Sequence, residues 1–309
     1  GNAPNITSLT ASGEVSVGTL DIGGTNVTST AAEINTLDGI ARGKIIYGNA
    51  SGATALLAPG SNGQILTSDG TDISWGAAGS GVTFKEGGTN FTNSLLVGTD
   101  STGTLSSAIG NTGVGTGVFG ALTSGDNNVA VGFCALQANT TGTNGVAVGC
   151  GALKSNTEGG CNVAVGRISL QDNTTGANNV AIGASALQTN TTASDNVAIG
   201  KSAATATTTG CRNVAIGSQA LICNSEGDNN TAVGFCALKC NTTADNNTAV
   251  GRFALLLNTT GATNTAVGQN SLHSNTTAAN NTAVGAGSLY ANTTGANNAA
   301  VGKSSMGSN

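Results

Sequence analysis

The chain offers few residues with which to do chemistry. It has one histidine, His273. A His-based triad, a His-rich zinc site or a His general base cannot be assembled from it within one chain. The acids Asp126, Glu158, Glu226, Asp228 and Asp245 lie in Asn/Thr/Gly-rich segments rather than in facing pairs, so capping of turns is their expected role. No P-loop and no calcium-binding solenoid nonapeptide occurs, and any Gly-x-Gly-x-x-Gly string lacks a βαβ context. The expectation is a protein that is not an enzyme and needs neither metal nor cofactor.

Seven cysteines remain: Cys134, Cys150, Cys161, Cys211, Cys223, Cys236 and Cys240. None forms a Cys-x-x-Cys pair. Cys223 and Cys240 are 17 residues apart and form the candidate disulfide; free thiols acting as small hydrophobes are the alternative. An odd count leaves at least one free or bonded to another chain. Asn-Thr-Thr matches the glycosylation sequon at many places but reads here as turn chemistry.

The interval of 17 matters because the whole second part of the chain obeys it. A Gly recurs at 115, 132, 149, 166, 183, 200, 217, 234, 251, 268, 285 and 302, with no insertion between. From the second repeat on, Ala stands two before that Gly, Val or Ile one before, usually Leu four after and Asn seven after. Seventeen is far from a multiple of 3.6, so a helix would smear these columns around its surface. Asn-Val-Ala-Val-Gly reads as a strand and Asn-Thr-Thr-Gly-Ala-Asn-Asn as turns. The expected fold is all-β: a parallel β-solenoid or β-roll whose coils stack about 4.8 Å apart. Each coil would hold a strand, a bend at Gly, a second short strand through Ala-Leu, and a turn. Twelve coils would make a rod of roughly 55–60 Å.

The bulky columns are expected inside: Val131, Leu136, Val148, Leu153, Val165, Leu170, Ile182 and Leu187. The uncharged small column, Ala130, Ala147, Ala164, Ala181, Ala198 and Ala215, is then the candidate inter-chain face. The reverse assignment, with Ala in a tight lumen and Val outward, is the alternative. Two Asn columns, from Asn128 and Asn139 onward, should stack as amide ladders. The freely varying places one and five after Gly, such as Phe133, Lys201, Arg252, His273 and Tyr290, mark the solvent surface.

Composition agrees. Of 309 residues only 8% are charged, 3% are aromatic and 48 are Gly, with a net charge of −5. Ten scattered Lys and Arg make no basic stripe, so nucleic acid is not an expected partner. No 18-residue apolar run suggests membrane insertion. Two prolines exclude collagen. Residues 1–42 read as an amino-terminal fibre or attachment segment, with a short helix expected near Thr28–Gly39. Residues 43–81 read as a small β module with a Gly-rich linker, 82–114 as an irregular transition or cap, and 115–309 as the solenoid shaft. Gly98 after Leu95-Leu96-Val97 falls on the lattice and is expected to mark an irregular first coil. A chain beginning at Gly1 reads as processed or as a fragment.

Thr30-Ala-Ala-Glu-Ile-Asn-Thr-Leu-Asp-Gly39 resembles segments of phage tail-fibre and related virion proteins. Gly43-Lys-Ile-Ile-Tyr-Gly-Asn-Ala-Ser-Gly through Trp75-Gly76 resembles a further phage-fibre module. The repeats, with Asn-Val-Ala-Ile-Gly, are similar to the head repeats of trimeric autotransporter adhesins, which are parallel β-rolls in homotrimers, usually with a shorter period. These resemblances imply a homotrimer or longer filament, exposed on a virion or at a cell surface, with other virion proteins and a host receptor as partners. Three functions compete: a virion tail fibre contributing to host attachment, a bacterial surface adhesin or secreted filament subunit, and an ice-binding solenoid with Thr ladders at Thr140-Thr141, Thr174-Thr175 and Thr259-Thr260.

Overall fold

The computed structural model describes residues 21–22, 25–26, 44–48, 54–61, 64–68, 73–77, 84–86, 90–98 and 102–307. The expected helix at Thr28–Gly39 lies outside them. The chain divides into two units, 1–79 and 80–309.

The first unit holds three small antiparallel pairs: β1 (Asp21–Ile22) with β2 (Thr25–Asn26), β3 (Ile45–Gly48) with β4 (Thr54–Leu57), and β5 (Gln64–Ser68) with β6 (Ile73–Ala77). Trp75 ties the last two pairs together. Its ring lies where a Cβ on Gly60 would be, 2.5 Å from Cδ2, and its Nε1 donates to the Ala58 carbonyl at 2.6 Å. That contact explains why the module carries a Gly two residues after Ala58.

The second unit is a β-solenoid. Thirteen strands, from β8 (Leu95–Val97) to β20 (Ala299–Val301), form one parallel sheet in chain order. Every register pair is 17 residues apart: Leu95 with Thr112, Ala130 with Ala147, Ile182 with Ile199. β7 (Phe84–Glu86) closes the first edge antiparallel to β8. The sheet therefore begins one coil before Gly115, at Leu95.

The structure reverses the inner and outer columns. Ala130, Ala147, Ala164, Ala181, Ala198 and Ala215 are fully buried in the lumen of their own chain, so they form no inter-chain face. Val131, Val148 and Val165 are each 37% exposed and Ile182 39%, so they are not core. Leu136, Leu153, Leu170 and Leu187 are buried as expected. The reason is volume. Each 17-residue coil already encloses a Leu and two Asn, which leaves a methyl group's space opposite them. The cap coil demonstrates this: Phe119 replaces Leu, and Gly113 replaces Ala. A Cβ on Gly113 would lie 2.5 Å from Leu96 Cδ1 and 3.0 Å from Phe119 Cδ2.

The second short strand through Ala-Leu does not form. Only one strand appears per coil, and the Ala-Leu segment is a run of turns. Four residues per coil have positive φ; in one coil these are Gly132 (130°), Cys134 (55°), Leu136 (48°) and Asn144 (57°). A left-handed Leu costs about 1–2 kcal/mol. Full burial of its side chain, worth about 1.5–3 kcal/mol, offsets this. At the lattice glycine no side chain is tolerated, because a Cβ on Gly132 would meet the Gly149 carbonyl at 2.7 Å.

Both Asn columns form hydrogen-bonded ladders. In the first, Asn128 Nδ2 donates to the Gly142 carbonyl (2.9 Å), and its backbone N–H donates to Asn111 Oδ1 (3.0 Å). In the second, Asn173 Nδ2 donates to Asn156 Oδ1 (2.7 Å) and to the Gly176 carbonyl (2.9 Å). Thr207 interrupts the second ladder. There Asn190 Oδ1 and Thr207 Oγ1 are buried without partners.

Candidate functional site

With the lumen filled by Ala, Leu and Asn, function belongs to the outer surface, which the 17-residue repeat divides into three faces.

The sheet face comes first. Because strand side chains alternate, burying the middle Ala turns both of its neighbours outward. The result is two adjacent columns of β-branched residues: Val146 and Val148, Val180 and Ile182, Val214 and Ile216, Thr248 and Val250. Exposure along the outer column stays between 36% and 40% at Val114, Val131, Ile199, Ile216, Val267 and Val284. No charged residue occupies either column from Leu95 to Val301.

The second face follows the lattice glycine, at the first, second, fifth and sixth residues after it. Six of the seven Lys and Arg beyond Gly115 fall here: Lys154, Arg167, Lys201, Lys239, Arg252 and Lys303. An open groove of about 520 Å³ lies on this face between Gly117 and Gly120, Gln137 and Ala138, and Lys154. Further along, Phe235 and Phe253 meet edge to face with ring centroids 5.4 Å apart. The Arg252 guanidinium sits 4.2 Å from the centre of the Phe253 ring. His273 stacks on Tyr290 at 4.8 Å, and burial holds the imidazole pKa below its usual value.

The third face is the turn segment leading into each strand. Here lie Asp126, Glu158, Asp195, Glu226, Asp228 and Asp245, six of the seven acids beyond Gly115. As expected, some of them cap turns: Asp126 Oδ1 accepts from the Ile109 N–H (2.8 Å), and Asp245 Oδ1 from the Asp228 N–H (2.7 Å). Arg212 is the one cation on this side and pairs with Asp228 at 3.5 Å, a solvated contact of small worth. Taken along the whole sheet, cations thus gather at one strand end and acids at the other.

All seven cysteines are free thiols, Cys223 and Cys240 among them. Burial raises the Cys240 pKa and the neighbouring Cys223 adds to it, while Lys239 opposes. Among the described residues no group of three or more His, Cys, Asp or Glu gathers as a metal site. No helix of the described residues is long and apolar enough to cross a membrane. The Thr pairs are half used within the chain: Thr140 Oγ1 donates to the Thr157 carbonyl (2.9 Å), and Thr174 and Thr259 do the same one coil on (3.0 Å each).

Sequence reasoning held the outward Val face only as its alternative and missed the separation of charge. The second was findable, since counting each charged residue from its lattice glycine sorts them. The first turned on a packing volume that no single column reveals. No protein-family model, curated protein or solved structure matches the chain.

Proposed function

We propose that the protein is a structural fibre whose shaft is a bundle of parallel copies of this solenoid, three in number, and that the fibre is a virion appendage contributing to host attachment. The carrying observation is the outward Val/Ile face. With the outer column about 36–40% exposed and the half-buried Val/Thr column beside it less so, the two columns over thirteen strands present on the order of 1,000 Å² of largely apolar surface. The largest apolar patch on an ordinary monomer is about 300–600 Å². A stable interface buries about 800 Å² per partner. A second copy supplies a matching flat face.

Charge sets the direction. When two such faces meet with the rods parallel, the cationic edge of one strand end lies beside the acidic edge of the next copy. With the rods antiparallel, like edges would meet. Arg167, Lys201 and Lys303 on one edge and Asp195, Asp228 and Asp245 on the other therefore favour parallel packing. The choice of three copies, and of a virion, rests on the resemblance of the repeats to trimeric adhesin heads and of the first unit to phage fibres. A bacterial surface adhesin or secreted filament subunit is the second reading, favoured by the repeats taken alone. The ice-binding reading is weakened by the Thr hydroxyls already donated within the chain and by Glu158 and Glu226 in the exposed Thr column.

Light scattering is expected to give three times the chain mass of 29.7 kDa. Ile199→Asp, which puts a charge into the face without touching the lumen, should reduce it to one. A wild-type mass of one chain would overturn the proposal. Mass spectrometry of purified virions against shed surface filaments separates the two settings.

A further inference from the structure

Of the seven cysteines, only one pair shares a place in the repeat. Cys223 and Cys240 each stand six residues after a lattice glycine, Gly217 and Gly234. None of the other five has a cysteine at its own place in an adjoining coil; Cys236, for one, lies between Gln219 and Phe253. The backbones of the pair match as well. The Cys223 N–H donates to the Lys239 carbonyl (3.2 Å) and the Cys240 N–H to the Leu256 carbonyl (3.1 Å), so both residues make the same turn, one coil apart. Stacking at the coil spacing puts their Cα atoms about 4.8 Å apart, inside the span of about 4.4–6.8 Å that a disulfide bridges. Burial raises the Cys240 pKa first and the Cys223 thiol adds to it, so the two groups lie within electrostatic reach. Cys223 is exposed and Cys240 half-buried, which lets a small reagent reach the first directly.

A second observation lies beside the pair. In the coil that follows Gly200, Ala204 takes the Leu place and Thr207 the Asn place. The lumen loses bulk there, the second Asn ladder breaks, and Asn190 Oδ1 and Thr207 Oγ1 are buried without partners. Lost packing and lost hydrogen bonds make this the coil that opens at least cost. The next coil, from Gly217, is the one that carries Cys223.

We propose that Cys223 and Cys240 are a modification site, where a reversible disulfide staples two adjoining coils next to the weakest one. The oxidant is a small disulfide of the glutathione class. The Cys223 thiolate attacks one of its sulfurs, forms a mixed disulfide and expels one thiolate. The Cys240 thiolate then attacks the Cys223 sulfur and expels the other. Two protein thiols are thereby oxidised to one disulfide, the reagent is reduced to two thiols, and the two protons pass to those leaving groups. The bond ties together residues 17 apart and limits how far the coil between them can open. A fibre on a virion or cell surface meets such oxidants. That setting rests on the function proposed above, whereas the pairing rests on the lattice alone.

The full chain would be incubated with oxidised glutathione at about pH 8, alkylated, digested and read by mass spectrometry. A peptide pair joining Cys223 to Cys240 within one chain is expected, with the chain lighter by two hydrogens, and dithiothreitol should restore both thiols. Hydrogen exchange across residues 217–240 should slow roughly tenfold in the oxidised form, with no change around Val146–Val148. Cys223→Ser and Cys240→Ser should each abolish the cross-link and the slowing, while Cys211→Ser keeps both. Circular dichroism checks the fold of each variant, and the exposed Cys223 keeps the test open if Cys240→Ser unfolds. Thiols that stay free, a link of Cys240 to Cys236, links between chains only, or a cross-link without slowed exchange would overturn the proposal. Light scattering on the same samples reads the chain mass, so a failed bundle and a failed staple are told apart.

Discussion

The first coils of the solenoid and the coils that follow are built on one lattice but filled differently. Around Leu95–Leu122 the lumen holds Phe91, Leu96, Val118, Phe119 and Leu122, all fully buried. From Asn128 on, the coils instead enclose Ala, Leu and two hydrogen-bonded Asn, save the coil with Ala204 and Thr207. An interior amide has a partner in the coil on either side, so polar groups can be buried at little cost. An end coil lacks one neighbour. Asn111 still carries the first ladder there, bonded to the Gly125 carbonyl, but Leu122 takes the place of the second Asn, whose amide would lack a partner on one side. Terminal coils that differ from their repeats are a general need of such folds.

The largest break in this comparison comes from the end. Phe119→Ala removes the ring that plugs the cap and should cost about 3–5 kcal/mol, read as a lowered denaturation midpoint. A loss below about 1 kcal/mol would show that the cap does not seal the lumen. Second is the ladder. Asn173→Ala strips partners from Asn156 Oδ1, Asn190 Nδ2 and the Gly176 carbonyl, and should cost about 2–3 kcal/mol in the same measurement. Third, Thr207→Asn should repair the one interruption: its amide would reach the unpartnered Asn190 Oδ1 and stabilise by about 1 kcal/mol. A destabilising outcome would mean that the lumen at Thr207 cannot admit the larger group. The smallest effect concerns pH. Burial lowers the His273 pKa below 6.5, so the unfolded chain takes up the proton first. Stability should be complete above about pH 6.5 and decline slightly as pH falls through the folded-state value. The stability difference between wild type and His273→Gln should change only within that window and stay constant above and below it.

Much of this architecture was legible from residues. The 17-residue Gly column fixed the coil, the strand before it and the stacking, because parallel in-register ladders tolerate no insertion. Leu136 and its equivalents were placed correctly inside, and both Asn columns were read as ladders, though not as buried ones. The Ala and Val columns were not, because a repeated Ala is consistent with either a crowded lumen or a close contact with another chain. Leu at φ near +48° was equally hidden: nothing in Ala-Leu announces a left-handed residue, and only the need to turn the chain within 17 residues imposes it. The two ring pairs could not be seen as contacts, since Phe235, Phe253, His273 and Tyr290 occupy three different places in the repeat.

The central claim is that Val and Ile face outward and meet another copy with the rods parallel. Rotational symmetry then keeps each coil level with itself in the neighbouring chain, so Lys201 of one copy lies beside Asp195 of the next. Carbodiimide coupling of a mixture of 14N- and 15N-labelled chains, read by mass spectrometry, tests this on the unaltered protein. The account predicts Lys201–Asp195 amides that join light to heavy chains; within one chain the strand Val197–Ile199, about 10 Å long, stands between the two. Cross-links that join Lys201 only to acids from the opposite end of the solenoid, or none between chains, would contradict it.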